Sequence, residues 1–230
     1  MDDKISKYLK NQKALRTVST YTDVIYKNLK EAILEQKLES DQRLKIREIA
    51  SIFEVSMTPV REAIQRLAAE GYVMITSRGE VKIVRLSQEE MREISRFIQL
   101  IDMNLIEDVI LNITDSLVDE FEKLHNKLHM YYENGNLDRY TKQNLKIHNR
   151  IWKLYGNSYI YHMLVSSVEK THMSEGWLDY RFTPHFLKKT YNDHCEILKA
   201  MKERDVKRAV NALSHHWDPD IWTSSNNNDS

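Results

Sequence analysis

Apolar residues recur at helical spacing over most of the chain. Between 18 and 35, Val24, Ile25, Leu29, Ala32 and Ile33 form one stripe. Between 45 and 53, Ile46, Ile49, Ala50 and Phe53 fall at i, i+3, i+4 and i+7. Between 59 and 71 the spacing returns in Val60, Ala63, Ile64 and Leu67, then stops at Gly71. Each stripe predicts an amphipathic helix. The period then changes: YVMIT over 72–76 and VKIV over 81–84 flank Ser77-Arg78-Gly79-Glu80, which reads as two short strands around a turn. From Ser87 onward the spacing is helical again. It predicts helices at about 88–112, 115–134, 137–155, 157–175, 184–203 and 205–217, with breaks at Asn134-Gly135-Asn136, Gly156-Asn157 and Thr183-Pro184.

Three short helices followed by a two-stranded wing is the plan of a winged helix-turn-helix. The predicted fold is therefore mainly α: a winged helix-turn-helix over 18–86, then an antiparallel all-α helical bundle over 87–217. Residues 1–17 read as a flexible polar arm, and 218–230, ending in SSNNNDS, as a disordered tail. With Gly 5 and Pro 3 the chain lacks the turn residues of a sheet-rich fold. It contains no apolar run of the roughly 18 residues that span a membrane. The start, MDDKISKYLKNQKALR, has no apolar signal core, and the single cysteine, Cys195, suits a reducing compartment, so a cytoplasmic protein is expected.

The net charge of +0 hides an asymmetry: residues 1–86 carry a net +4 and the remainder a net −4. A basic N-terminal part beside an acidic partner suits a nucleic-acid reader. Glu54-Val55-Ser56-Met57 separates the second and third helices. Thr58 then Pro59 read as the N-cap and first residue of the third helix, since proline needs no amide donor there. The exposed start of that helix offers Ser56, Met57, Thr58 and Arg61 to a major groove, where arginine can bond guanine O6 and N7 together.

LKIREIA at 44–50, VSMTPVREA at 55–63, LAAEG at 67–71 and Arg78-Gly79 together resemble the GntR family of bacterial transcription regulators over about 65 residues. The resemblance implies that Arg47 and Thr58 contact DNA near the phosphates, that Arg61 reads a base, and that Gly79, beside Arg78, tips the wing into the minor groove. Met57 stands where the family often has a basic residue, which shifts readout there toward a thymine methyl.

Nine histidines supply candidate metal ligands. Asn144 and His148 share a helix face at i and i+4, His194 lies on a later helix, and His215 and His216 near the end of the last. Helix-borne side chains of this kind can converge inside a bundle on Zn, Ni or a similar divalent ion; spacing alone leaves core or surface histidines open. His125 and His129 also stand at i and i+4 and read as a solvated face. Trp152, Trp177, Trp217 and Trp222 read as core and interface, and Cys195 as inert buried packing.

Residues 88–217 resemble the FCD ligand-binding domain of the FadR-type branch of that family. Its Asp-x-x-x-His, later His and last His fall here on Asn144, His148, His194 and His216, with His215 one residue of slippage away; Gly156-Asn157, ILKAM at 197–201 and DVKRA at 205–209 also match. The resemblance implies a divalent metal held by Asn144, His148, His194 and His216. Asn144 replaces the family's Asp, removing a negative charge and weakening the site. An arginine often present in the family is Ile98 here, with Asp102 where Glu is common. Arg96, Arg150 or Arg181 could substitute for it.

The expected protein is not an enzyme. It is a ligand-responsive, DNA-binding transcription regulator, a homodimer on a palindromic double-stranded operator, controlled by a small-molecule effector, a divalent metal or both. The alternative is a helical-bundle metalloenzyme with His148, His194 and His216 as ligands and Glu196 as base. Against it, the chain has no HExxH, phosphate loop or nucleophile elbow.

Overall fold

The computed structural model describes residues 20–171, 173 and 183–219. The arm at 1–17, Arg181, Trp177, Trp222 and nearly all of the tail at 218–230 lie outside the described residues. The chain forms two compact units that divide between Ser87 and Gln88, Met173 falling with the first. Among the described residues there are nine helices and one small sheet.

In the first unit, helix α1 (Tyr21–Leu34) opens with a capping box. The Thr20 hydroxyl accepts from Asp23 N–H, and the Asp23 carboxylate accepts from Thr20 N–H. Strand β1 (Arg43–Leu44), helix α2 (Ile46–Phe53) and helix α3 (Met57–Ala69) follow, then strands β2 (Val73–Ile75) and β3 (Val81–Ile83). Ile25, Leu29, Ile49, Val60, Ile64, Leu67 and Tyr72 are buried together. Each such side chain contributes about 1.5–3 kcal/mol on leaving water.

The structure differs from the sequence pattern at two places in this unit. The wing hairpin carries a third strand: β1 pairs antiparallel with β3, in the order β1-β3-β2. Two residues are too few to display an alternating pattern. Helix α3 starts earlier than Thr58-Pro59 suggests. Ser56, in extended conformation, is the N-cap, Met57 the first helical residue and Pro59 the third. Pro59 is tolerated because the first turn's N–H groups have no intrahelical acceptor in any case.

The second unit is a bundle of six helices: α4 (Gln88–Leu111), α5 (Asp115–Glu133), α6 (Leu137–Leu154), α7 (Ser158–Thr171), α8 (Pro184–Glu203) and α9 (Val206–His216). Short polar caps set their starts: Thr114, Asn136, Thr183 and Asp205 each accept from the amide three residues on. Helix α4 packs on α6, α7 and α9, α6 on α5 and α7, and α8 on α5 and α9. Phe121, Ile147, Ile151, Leu164, Ile197 and Leu213 are wholly buried in this core. No described helix is long and apolar enough to cross a membrane.

Candidate functional site

The first site is the α2–turn–α3 unit and its wing. Helix α2 ends at Glu54 in the left-handed region (φ 55°), and Val55 N–H returns to Ala50 O at 3.0 Å. This closes the turn in three residues. Ser56 makes no side-chain cap bond, so the first amides of α3 are left to outside acceptors such as phosphate. Ser56, Met57, Thr58, Arg61, Arg47, Arg78 and Gly79 are all exposed.

The charge pattern of this unit separates its arginines into two groups. Arg43 pairs with Glu80, Arg66 with Asp23 and Glu70, and Arg85 with Asp41. Arg47, Arg61 and Arg78 make no ion pair among the described residues. Glu62, next to Arg61, is occupied elsewhere: Thr22 Oγ1 donates to its Oε2 at 2.7 Å and ties α1 to α3. At the wing tip Gly79 has φ +77°, and a Cβ there would meet nothing within 4 Å. Glycine is thus required by the backbone and not by crowding. The tip stands clear for a close approach.

The second site lies inside the helical unit. On α6 the buried stripe Tyr140, Gln143, Ile147, Ile151 leaves His148 on its margin, buried; on α8 Leu187, Thr190, Ile197 and Ala200 carry His194 inward; on α9 Ala209, Ala212 and Leu213 are followed by His216. The helical repeat therefore delivers three imidazoles to one place. Their candidate ligand atoms all lie within 4.8 Å of one another. His148 Nε2 is 3.1 Å from His216 Nε2. Two nitrogens on one tetrahedral ion at about 2.0–2.1 Å would stand roughly 3.3 Å apart.

Their surroundings leave these groups unsatisfied. Both His194 nitrogens and Oδ1 of Asn144, one turn before His148, are buried without a hydrogen-bond partner, while Nδ1 of His148 and of His216 have only a carboxylate oxygen at 3.4 and 3.6 Å, from Asp102 and Asp193. A buried polar atom without a partner costs about 1–3 kcal/mol, so such a concentration calls for a bound group. Burial, followed by the charge of neighbouring histidines, pushes His194 well below its ordinary value. Burial also pushes His216 down, to about 4, against the opposing contact with Asp193. Unprotonated imidazoles are the form that ligates a metal. The donor set of three imidazoles fits a borderline divalent ion such as Zn or Ni.

Other candidates lie elsewhere. His215 is 63% exposed, and its Nδ1 bonds Asp193 Oδ1 at 2.8 Å, outside the three-histidine group. Glu196, the candidate base of the enzyme alternative, is exposed and bonded to Arg208 Nε at 2.7 Å. Arg150 is held by Glu120 through two bonds of 2.7 and 2.9 Å, and Arg96 donates to Gln99. Cys195 is exposed, contrary to the buried reading, because it sits one residue past the inward His194. His125 is likewise corrected. It is buried, its Nδ1 lies 2.8 Å from Phe121 O and its ring is 5.6 Å from that of His194. Phe121, His125 and Leu128 form an i, i+4, i+7 stripe that places it inside. Trp152 is buried and Trp217 partly so. Both indoles bond Asp102, a completely buried carboxylate that sequence reasoning noted without assigning it a role.

Comparison with known proteins addresses both units. The FCD domain model matches residues 93–219, more than half of the chain, and the model of bacterial regulatory proteins of the gntR family matches residues 21–83. The gluconate operon transcriptional repressor of Bacillus subtilis is 26% identical over 225 residues, covering 92% of this chain and 90% of the relative. Its Bacillus licheniformis counterpart is 25% identical over 209 residues, covering 85% and 84%. Among solved structures, E. coli McbR/YncC superposes with a TM-score of 0.71 at 20% identity, covering 91% of this chain and all of that one. Lar of Listeria monocytogenes gives 0.64 at 15%, covering 93% and 100%. These two likenesses speak for the fold.

Proposed function

The chain belongs to the GntR family of bacterial transcription regulators, in the branch with an FCD domain, and from that premise we propose that it is a cytoplasmic homodimer that binds a palindromic operator under control of a divalent metal and a small-molecule effector. Its family and its curated relatives are regulators, not enzymes.

The observation that carries the regulatory half is the buried cluster of His148, His194 and His216. These three, with the Asn144 carbonyl oxygen, would hold the ion. The metal would supply a positive centre for an anionic or hydroxyl-bearing effector. The histidines would fix its position. In the DNA half, Arg61 and Met57 read base edges, Arg47, Thr58 and the α3 amides hold phosphates, and Arg78 and Gly79 approach the minor groove. Two copies present two such helices, so the half-site spacing of the operator follows the dimer. An effector changes occupancy only if it binds the two arrangements of the dimer unequally.

The test is fluorescence anisotropy with duplex DNA from upstream of the protein's own gene, at low salt, with zinc and with chelator. Binding that weakens steeply with salt and shifts with zinc is the expected result. No binding at low salt overturns the proposal.

A further inference from the structure

Two buried carboxylates border the histidine cluster without belonging to the proposed ligand set. Asp102, on α4, is completely buried. Trp152 Nε1 donates to its Oδ1 at 2.8 Å and Trp217 Nε1 to its Oδ2 at 2.7 Å; the same Oδ2 lies 3.4 Å from His148 Nδ1. Asp193, on α8, is also buried. Its Oδ1 accepts from His215 Nδ1 at 2.8 Å. Its Oδ2 accepts from Lys189 Nζ at 3.0 Å and lies 3.6 Å from His216 Nδ1.

The two contacts have the same sense. Each carboxylate faces the Nδ1 of one histidine, while the Nε2 atoms of those histidines face each other at 3.1 Å. A neutral imidazole carries one proton, and a carboxylate beside Nδ1 favours keeping it there, which turns the Nε2 lone pair inward. Two lone pairs at that separation repel unless a proton or a cation lies between them. The inner set is formally neutral, because Asn144 brings no charge. Negative charge near a bound divalent ion would then come from the next layer, and among the described residues these two buried carboxylates contact the ligand histidines.

We propose that Asp102 and Asp193 are the positioning residues of the metal site: they hold His148 and His216 as Nε2 ligands and supply the charge that Asn144 does not. This rests on the metal reading above. The Trp152 and Trp217 indoles fix Asp102, and Lys189 and His215 fix Asp193, so each carboxylate is itself held in place.

The test compares wild type with Asp102→Asn and Asp193→Asn. Zinc affinity is measured by competition with a chromophoric chelator, and the ligating nitrogen by long-range 1H–15N correlation spectra of the zinc-loaded chain. The expected result is Nε2 ligation with protonated Nδ1 at His148 and His216 in wild type. Each variant should lose about 10–100-fold in zinc affinity, with the Nδ1–H resonance altered only at its own histidine. If Asp102→Asn does not fold, Asp193→Asn, nearer the surface, decides on its own. Wild type that binds no zinc overturns the metal reading and this proposal with it. Wild type that binds zinc, with variants of unchanged affinity or with Nδ1 ligation, overturns this proposal alone.

Discussion

His148 Nε2 and His216 Nε2 lie 3.1 Å apart, although 68 residues separate them in the chain. Both rings are buried, with His194 completing the group. An ion that binds the folded unit and not the unfolded chain stabilises it by mass action, by about 2.7 kcal/mol at a hundredfold excess over Kd. Zinc or nickel should therefore raise the thermal midpoint by several degrees, and His194→Ala should abolish the rise. Differential scanning fluorimetry with and without chelator checks this. An equal rise in the variant would mean that the metal binds elsewhere.

Asn144 Oδ1 is buried without a hydrogen-bond partner one turn before His148. An amide offers a neutral oxygen, and a carboxylate at the same place adds a charge, which tunes metal affinity upward. Asn144→Asp should tighten zinc binding by about tenfold or more. Isothermal titration calorimetry reads the difference. Equal or weaker binding in the variant would show that this position does not face the ion.

Much of this was legible in the sequence, and the gaps have physical causes. Long apolar stripes such as Ile147-Ile151 and Ile197-Met201 repeat often enough to announce their helices. Histidines at their margins can be placed on a face by counting. The fold class, the helix-turn-helix and five of the six later helices came within a residue or two of the predicted bounds. Residues Arg43 and Leu44 form a strand only because β3 offers an edge, which no two-residue pattern reveals. Ser56 caps α3 by backbone conformation alone, which leaves no mark in the sequence as conspicuous as Thr58-Pro59. Asp102 and Asp193 were invisible as outer partners of His148 and His216, because that relation exists only after α4, α6, α8 and α9 have packed.

The indole of Trp152 donates to a carboxylate oxygen of the wholly buried Asp102. Trp152→Phe keeps a ring but leaves Asp102 Oδ1 without that donor. The loss should destabilise the helical unit by at least about 1–3 kcal/mol. Urea unfolding followed by far-ultraviolet circular dichroism measures it. A midpoint unchanged from wild type would argue that the bond contributes nothing.

Burial holds His216 at about 4 against an unfolded value of 6.5, and holds His194 well below 6.5. Between pH 6.5 and 4 the unfolded chain binds more protons than the folded one, so the metal-free fold loses stability as pH falls through that window. Each unit of difference is worth about 1.4 kcal/mol. Asp193, whose burial is outweighed by contacts with His216 and His215 and the Lys189 charge, sits at about 2. Its own stabilising contribution is lost only below its unfolded value of 3.8. Urea midpoints measured in chelator should fall from pH 7 to pH 5. A flat profile would contradict the buried neutral histidines.

We propose that the N-terminal unit reads DNA through arginines that make no ion pair among the described residues. Arg61 makes no ion pair among the described residues, whereas Arg43 on the same unit is bound to Glu80 at 2.8 Å. The most direct measurement is operator affinity by anisotropy for Arg61→Ala beside Arg43→Ala, over a range of salt. The account predicts that Arg61→Ala loses about 1–3 kcal/mol of binding to the operator, while Arg43→Ala stays near wild type. Operator binding by Arg61→Ala at wild-type strength would contradict it.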